Sequence, residues 1–269
     1  MNAITTQTVI DQMGRSLTVP RQPQRIVSLV PSQTELLFDL GLAEQVVGRT
    51  RFCIHPAEQV KDVVIIGGTK KFNFERIDQL QPDLIIGNKE ENYQAGIERL
   101  AAHYPVWMSD IFTLNDALAM IRQVGQVVGQ GERAAALAAD IDAQFAQLPR
   151  LSPPLRVGYF IWQKPYMAAG GQTFIHDILT RCGFENGFVE MGNGRYPEIS
   201  LADIQAANLD AILLSSEPFP FTEKHRQALQ AICPKTAVYL VDGEMFSWYG
   251  SRLQLAADYW CQLYATLPA

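Results

Sequence analysis

Phe74-Glu75-Arg76-Ile77-Asp78-Gln79-Leu80-Gln81-Pro82-Asp83 leads into the apolar run Leu84-Ile85-Ile86, and the pattern returns in the second half of the chain. There Leu201-Ala202-Asp203-Ile204-Gln205-Ala206-Ala207-Asn208-Leu209-Asp210 leads into Ala211-Ile212-Leu213-Leu214. Asp83 and Asp210 are 127 positions apart, and the helical segments before them align without a gap. Downstream, Pro105-Val106-Trp107-Met108-Ser109-Asp110 is echoed by Thr236-Ala237-Val238-Tyr239-Leu240-Val241-Asp242. Upstream, Arg25-Ile26-Val27-Ser28-Leu29-Val30 is echoed by Arg156-Val157-Gly158-Tyr159-Phe160-Ile161. Each half reads as strands alternating with helices, which gives a mostly parallel sheet. The expected fold class is α/β: two α/β lobes with mostly parallel central sheets, joined by a single long rigid helix.

The helix signals set the boundaries. Ser32-Gln33-Thr34-Glu35 has the capping-box pattern ahead of Leu36, Leu37 and Leu40. Asn73 and Ser200, again 127 apart, read as N-caps of the repeated helix. Thr113 reads as a cap for a helix with apolar positions at Leu114, Leu118, Ile121 and Val128, and Gly129-Gln130-Gly131 interrupts it. A second helix then runs over 132–148, with Leu137, Ile141, Phe145 and Leu148 on one stripe. At 1.5 Å per residue it spans about 25 Å. Pro153-Pro154 ends the crossing. The expected domains are an N-terminal lobe over 1–130, a connecting helix over 131–150 and a C-terminal lobe over 151–269.

Composition narrows the function. The chain has 269 residues, with 22 Lys and Arg against 28 Asp and Glu. This acidic balance argues against a nucleic-acid partner. No run approaches the roughly 18 apolar residues of a membrane span, so no membrane insertion is expected. Residues 1–7 have neither the basic nor the apolar region of a secretory signal. The four cysteines, Cys53, Cys182, Cys233 and Cys261, form no CxxC pair and read as free buried thiols. The chain lacks the phosphate-loop, dinucleotide, zinc-protease and nucleophile-elbow motifs, which disfavours an enzyme.

Ligands of open α/β sheets bind beyond the carboxyl ends of the strands. The loops predicted there carry nearly half of the chain's aromatic residues, where core packing least requires them (13 Phe, 9 Tyr and 4 Trp in all). They suggest a large flat ligand. In the first half the ligand-binding residues are Phe52, His55, Lys70, Phe72 and Tyr93. In the second they are Trp162, Tyr166, Tyr196, Phe219, Phe246, Trp248, Tyr249 and Arg252. Cys53-Ile54-His55 has a spacing that reaches one metal only from an extended backbone, and it reads as structural. No catalytic residue, protein-bound metal or cofactor is expected.

Several stretches carry a family resemblance. They are Val9-Ile10-Asp11-Gln12-Met13-Gly14-Arg15, Arg25 through Glu35, Phe74 through Ile86, and Tyr196-Pro197-Glu198-Ile199-Ser200. On these the chain resembles the periplasmic-binding-protein class with a helical backbone, which includes the vitamin B12, ferric siderophore and haem receptors of ABC importers. Arg51-Phe52-Cys53-Ile54-His55-Pro56 and Phe246-Ser247-Trp248-Tyr249-Gly250-Ser251-Arg252 look most like the cobalamin-receptor branch. Tryptophans expected from that branch are replaced by Thr69 and Asn88. The resemblance implies a non-enzymatic receptor, periplasmic or otherwise extracytoplasmic. It would capture cobalamin or an iron chelate in an inter-lobe cleft and deliver it to a dimeric ABC permease. It also implies one docking glutamate on each lobe. Glu75 matches the first, whereas position 202 holds alanine, with Glu198 and Asp203 as the nearest substitutes. On helix electrostatics alone, an acid at Glu75 is explained by the macrodipole. The missing export signal and Ala202 favour an alternative, an intracellular protein of the same fold that binds a tetrapyrrole or metal chelate without a permease. An α/β enzyme using the cleft as its active site stands third.

Overall fold

The computed structural model describes residues 5–149, 151–191 and 194–267. The first four residues of the N-terminal segment read for an export signal lie outside the described residues. The chain divides into two compact units. Unit 1 comprises the described residues up to Ile111, then Asn115–Asp142 and Tyr249–Arg252. Unit 2 comprises Phe112–Leu114, Ala143–Trp248 and the described residues from Leu253 onward.

Unit 1 opens with the hairpin β1 (Thr6–Ile10) and β2 (Ser16–Pro20). Its turn is organised by Asp11, whose buried carboxylate accepts bonds from the Met13 and Arg15 amides and from the Arg15 guanidinium. Gly14 takes the positive φ of 75° that the turn demands. Next come β3 (Ile26–Ser28), α1 (Pro31–Asp39), β4 (Val46–Arg49), β5 (Val64–Ile65), the short hairpin β6 (Gly67–Gly68) and β7 (Lys71–Phe72), α2 (Phe74–Leu80), β8 (Leu84–Asn88), α3 (Gln94–Ala101), β9 (Val106–Ser109) and α4 (Leu114–Val127). The main sheet is parallel, in the order β5-β4-β3-β8-β9. The helix α5 (Gly131–Ala146) follows; its residues belong to unit 1 through Asp142 and to unit 2 from Ala143. Its buried stripe is Ala134, Ala138, Ile141 and Phe145; Leu137 is half-buried and Leu148 lies past its end.

Unit 2 repeats the plan with β10 (Leu155–Trp162), β11 (Met167–Ala168), α6 (Phe174–Arg181), β12 (Phe184–Asn186), α7 (Leu201–Ala206), β13 (Ala211–Ser215), α8 (Glu223–Ile232), β14 (Ala237–Val241), α9 (Glu244–Ser247) and α10 (Leu253–Tyr264). Its sheet runs β11-β10-β13-β14, with β12 parallel to β10 and only β11 antiparallel. The mostly parallel α/β architecture read from the sequence is present in each unit.

The repeat extends to strand register and to single hydrogen bonds. Val27 pairs with Ile85 and Ile85 with Val106 in unit 1; Gly158 pairs with Ile212 and Ile212 with Val238 in unit 2. Both β8 and β13 are buried along their whole length, which explains their unbroken apolar runs. In unit 1 the Asp83 carboxylate accepts from the amides of Gln24 and Arg25, and Arg25 Nε donates to the Leu80 carbonyl at the end of α2. In unit 2 Asp210 accepts from the Arg156 amide, and Arg156 Nε donates to the Ala207 carbonyl at the end of α7. A cation on the last carbonyls of a helix satisfies orphan acceptors and meets the negative end of the dipole.

Two local readings need correction. The segment Ser32–Glu35 is no capping box: α1 starts at Pro31, where the ring supplies the helical φ and the missing N–H costs nothing. Ser32 and Glu35 therefore lie inside the helix. Three cysteines are buried as expected, but Cys261 is exposed on α10; all four are free.

Candidate functional site

The loops beyond the strand carboxyl ends hold a mixture of exposed aromatic faces and buried polar anchors. In unit 1, Phe52 follows β4 and leaves 51% of its surface exposed. His55 is half-buried. Lys70, at the turn of the β6–β7 hairpin, is exposed and donates to the Glu90 carbonyl. Phe72 is buried, with its ring 5.0 Å from Tyr93 and 6.2 Å from Phe74, so it supports the half-buried Tyr93 from beneath.

Behind these loops unit 1 buries a polar network. Asn88 at the end of β8 and Gln33 on α1 both donate to Ser109 Oγ at the end of β9. The Asn92 side chain accepts from the Asn88 amide and donates to the Leu29 and Thr69 carbonyls. Buried polar groups persist where they are bonded, and this network fixes the ends of β3, β8 and β9.

Glu35 on α1 meets Arg252 in a two-bond ion pair, with Nε to Oε2 at 2.8 Å and Nη2 to Oε1 at 2.5 Å. Their side chains are only about a tenth exposed. Burial raises the Glu35 pKa, and the Arg252 guanidinium opposes that rise. Arg252 thus fastens the segment 249–252 to unit 1, where Gly250 passes so close to the Ser32 carbonyl that a Cβ would sit 2.4 Å from it.

In unit 2, Trp162 closes β10 with 40% of its surface exposed and its ring 5.6 Å from Phe219. Phe219 in turn contacts Phe221 at 4.8 Å and His225 at 5.2 Å, so the aromatic surface continues from β10 to the loop after β13. His225 Nδ1 accepts from the Thr222 amide and caps α8. Tyr166 is half-buried and accepts from the Gln163 amide group; Tyr196 is also half-buried. Trp248 and Tyr249 are buried, and Trp248 Nε1 donates to Glu217 Oε1 at 2.9 Å. The Ser247 hydroxyl donates to the same oxygen at 2.6 Å. Burial, with help from Glu244 and Asp242, raises the pKa of Glu217 against these two bonds.

Phe246 cannot serve as a ligand contact. It is fully buried, 5.0 Å from Tyr159 and 6.0 Å from Trp260, because α9 turns it inward. Arg252 is committed to Glu35, and Phe72 is a support. Sequence reasoning missed Glu217 and the structural use of Glu35. A lone glutamate after a strand carries no signal for Glu217, and Glu35 matched the wrong motif.

Of the expected docking acids, Glu75 is exposed in the first turn of α2, where Asn73 caps the helix by accepting from the Arg76 amide. Asp203 forms a capping box with Ser200 on α7, and those bonds lower its pKa. Glu198 is exposed and joins an isolated bridge to Met167. Ala202 is exposed. Among the described residues, no three His, Cys, Asp or Glu side chains gather to hold a metal, and no helix is long and apolar enough to cross a membrane.

The profile of the family described as "Periplasmic binding protein" matches residues 26–233. The chain belongs to this family. Members are binding proteins rather than enzymes, and the two-unit α/β architecture is that of the family. A vitamin B12-binding protein of Pectobacterium atrosepticum is 30% identical over 256 residues, covering 91% of this chain and 90% of the relative. A periplasmic heme-binding protein from Roseiflexus sp. RS-1 superimposes with a TM-score of 0.78 at 24% identity, covering 90% of this chain and 98% of that one. The periplasmic vitamin B12 binding protein of Vibrio cholerae gives a TM-score of 0.73 at 21% identity, covering 92% and 98%. These two structures speak to the fold of this periplasmic binding protein.

Proposed function

We propose that this periplasmic binding protein captures a corrinoid outside the cytoplasm and presents it to an ABC permease dimer. The observation that carries this reading is the 30% identity to a vitamin B12-binding protein over nearly the full length of both chains. The exposed faces of Phe52 and of the Trp162–Phe219 pair support it, since flat rings suit the apolar surface of a macrocycle. Tyr93, Tyr166, Tyr196, His55 and Lys70 are the polar contacts in this reading. Trp248 and Tyr249 are buried and lie behind these contacts, with the Trp248 indole held by Glu217. The bound corrinoid is cargo and not a cofactor.

The test is a binding panel of cyanocobalamin, haem and a ferric siderophore, read by quenching of tryptophan fluorescence. Cyanocobalamin is expected to bind more tightly than the other two, and Trp162→Ala to weaken it about tenfold, the scale of one aromatic contact. Haem or siderophore binding without cyanocobalamin binding would replace the corrinoid.

Ala202 favours a second reading, a chelate-binding protein of this fold that meets no permease, because the second docking carboxylate is absent. Capture of this chain by an ABC permease dimer in nanodiscs supports the first reading, and its absence supports the second.

A further inference from the structure

A concave surface of unit 1 gathers three cations that the corrinoid reading does not use. Arg51, Lys71 and Arg99 line a cavity of about 530 Å³ together with Gly67, Phe72, Asn73, Phe74 and Glu75. Only Phe72 is shared with the ligand contacts considered above. Among the described residues none of the three cations has an ion pair or hydrogen bond, and none pairs with Glu75.

Two of the three are nevertheless held in place. The Arg99 guanidinium lies 3.9 Å from the centroid of the Phe74 ring, and Arg51 lies 5.4 Å from that of Phe52. Arg51 also rests against the hairpin where Gly68 leaves room: a Cβ there would sit 3.2 Å from its Nη2. Ring contacts fix a guanidinium without consuming its N–H donors. The lining therefore carries three positive charges against one negative, with the donors of both arginines and Lys71 unspent.

We propose that this cavity binds a phosphate group. A phosphate or phosphomonoester carries about −1.5 to −2 charges at neutral pH, which matches the excess charge of the lining. Guanidinium forks suit its oxygens in two-bond geometry, and an ammonium adds a point charge. The group comes either from free inorganic phosphate or from a phosphorylated organic molecule whose remainder rests on the half-buried Phe74. The site stands whether or not the corrinoid reading holds.

Calorimetric titration of the full chain with inorganic phosphate and with glycerol phosphate, in chloride buffer of matched ionic strength, tests it. Saturable binding is expected for at least one. Glycerol phosphate binding more tightly assigns the organic source, and inorganic phosphate alone the free ion. Removing two charged donors in Lys71→Gln/Arg99→Gln should weaken binding at least about tenfold. Glu75→Gln should tighten it about threefold by removing the one repulsive charge. Lys61→Gln, which removes an exposed cation paired to Glu58 outside the cavity, should leave it unchanged. All three side chains of the tested cavity positions are exposed, so unchanged unfolding midpoints confirm intact folds. Absence of saturable heat with either ligand, or equal weakening by Lys61→Gln, overturns the proposal.

Discussion

At Glu35 and Arg252 two charges sit almost out of water, and their worth depends on how they are removed. Truncating one partner strands the other, which costs about 3–5 kcal/mol for a buried pair. Arg252→Met should therefore lower the unfolding free energy by that order in urea titration. Glu35→Leu/Arg252→Met should recover most of the loss, because two apolar groups of similar volume need no solvation. Glu217 makes the opposite kind of prediction. Its folded pKa is raised above the ordinary 4.5, so the folded state holds its proton in a window where the unfolded state has lost it. Wild-type stability thus gains as pH falls through the folded pKa, and the gain is complete below 4.5. Glu217→Gln keeps an oxygen for Ser247 and Trp248 and carries no charge. It should be more stable than wild type at pH 7.5, with the advantage shrinking toward pH 4.5 in matched denaturant curves. An advantage independent of pH would show that the Glu217 charge is not the cause. Neither residue was legible in the sequence, because burial and a partner 217 positions away leave no local trace.

The elements were far more legible. Two strands buried on both faces, β8 and β13, must be written as apolar runs, and each follows a short capped helix of matching pattern. The equivalence is strong enough to predict equal effects at equivalent positions. Asn73→Ala and Ser200→Ala should each cost about 1 kcal/mol, the usual cost of losing an N-cap. Hydrogen exchange of α2 and α7 amides reads each loss in its own unit. A large effect at one and none at the other would mean that the repeat is only a resemblance of sequence. Local signals failed where two motifs compete. Ser32-x-x-Glu35 fits a capping box, yet Pro31 at the first helical position decides the start of α1. Phe246 fits a strand-end loop, yet the single turn of α9 carries it into the core between Tyr159 and Trp260.

For the whole molecule, the sequence announced the class of protein through stretches spread over most of its length, while the ligand depends on a few loop side chains. Phe52 and Trp162 were legible as exposed rings because nothing in a core requires an aromatic after a strand. Docking is read at this scale too. Glu75 offers an exposed carboxylate and Ala202 offers none. Glu75→Ala should weaken association with a permease in nanodiscs by about 2–5 kcal/mol if the pair is desolvated on docking. Cyanocobalamin affinity should stay unchanged. An equal loss in Glu198→Ala or Asp203→Ala would show a working substitute in unit 2.

The return of Tyr249–Arg252 to unit 1 also sets a timetable. A ribosome delivers the chain from its N-terminus, and Glu35 emerges more than two hundred residues before its cation. Until Arg252 clears the exit tunnel, the nascent first unit carries the Glu35 carboxylate without its two-bond partner and an empty seat beside Ser32. Its folding is therefore completed only after Arg252 has been made, and premature termination anywhere before that residue yields a first unit lacking its clasp.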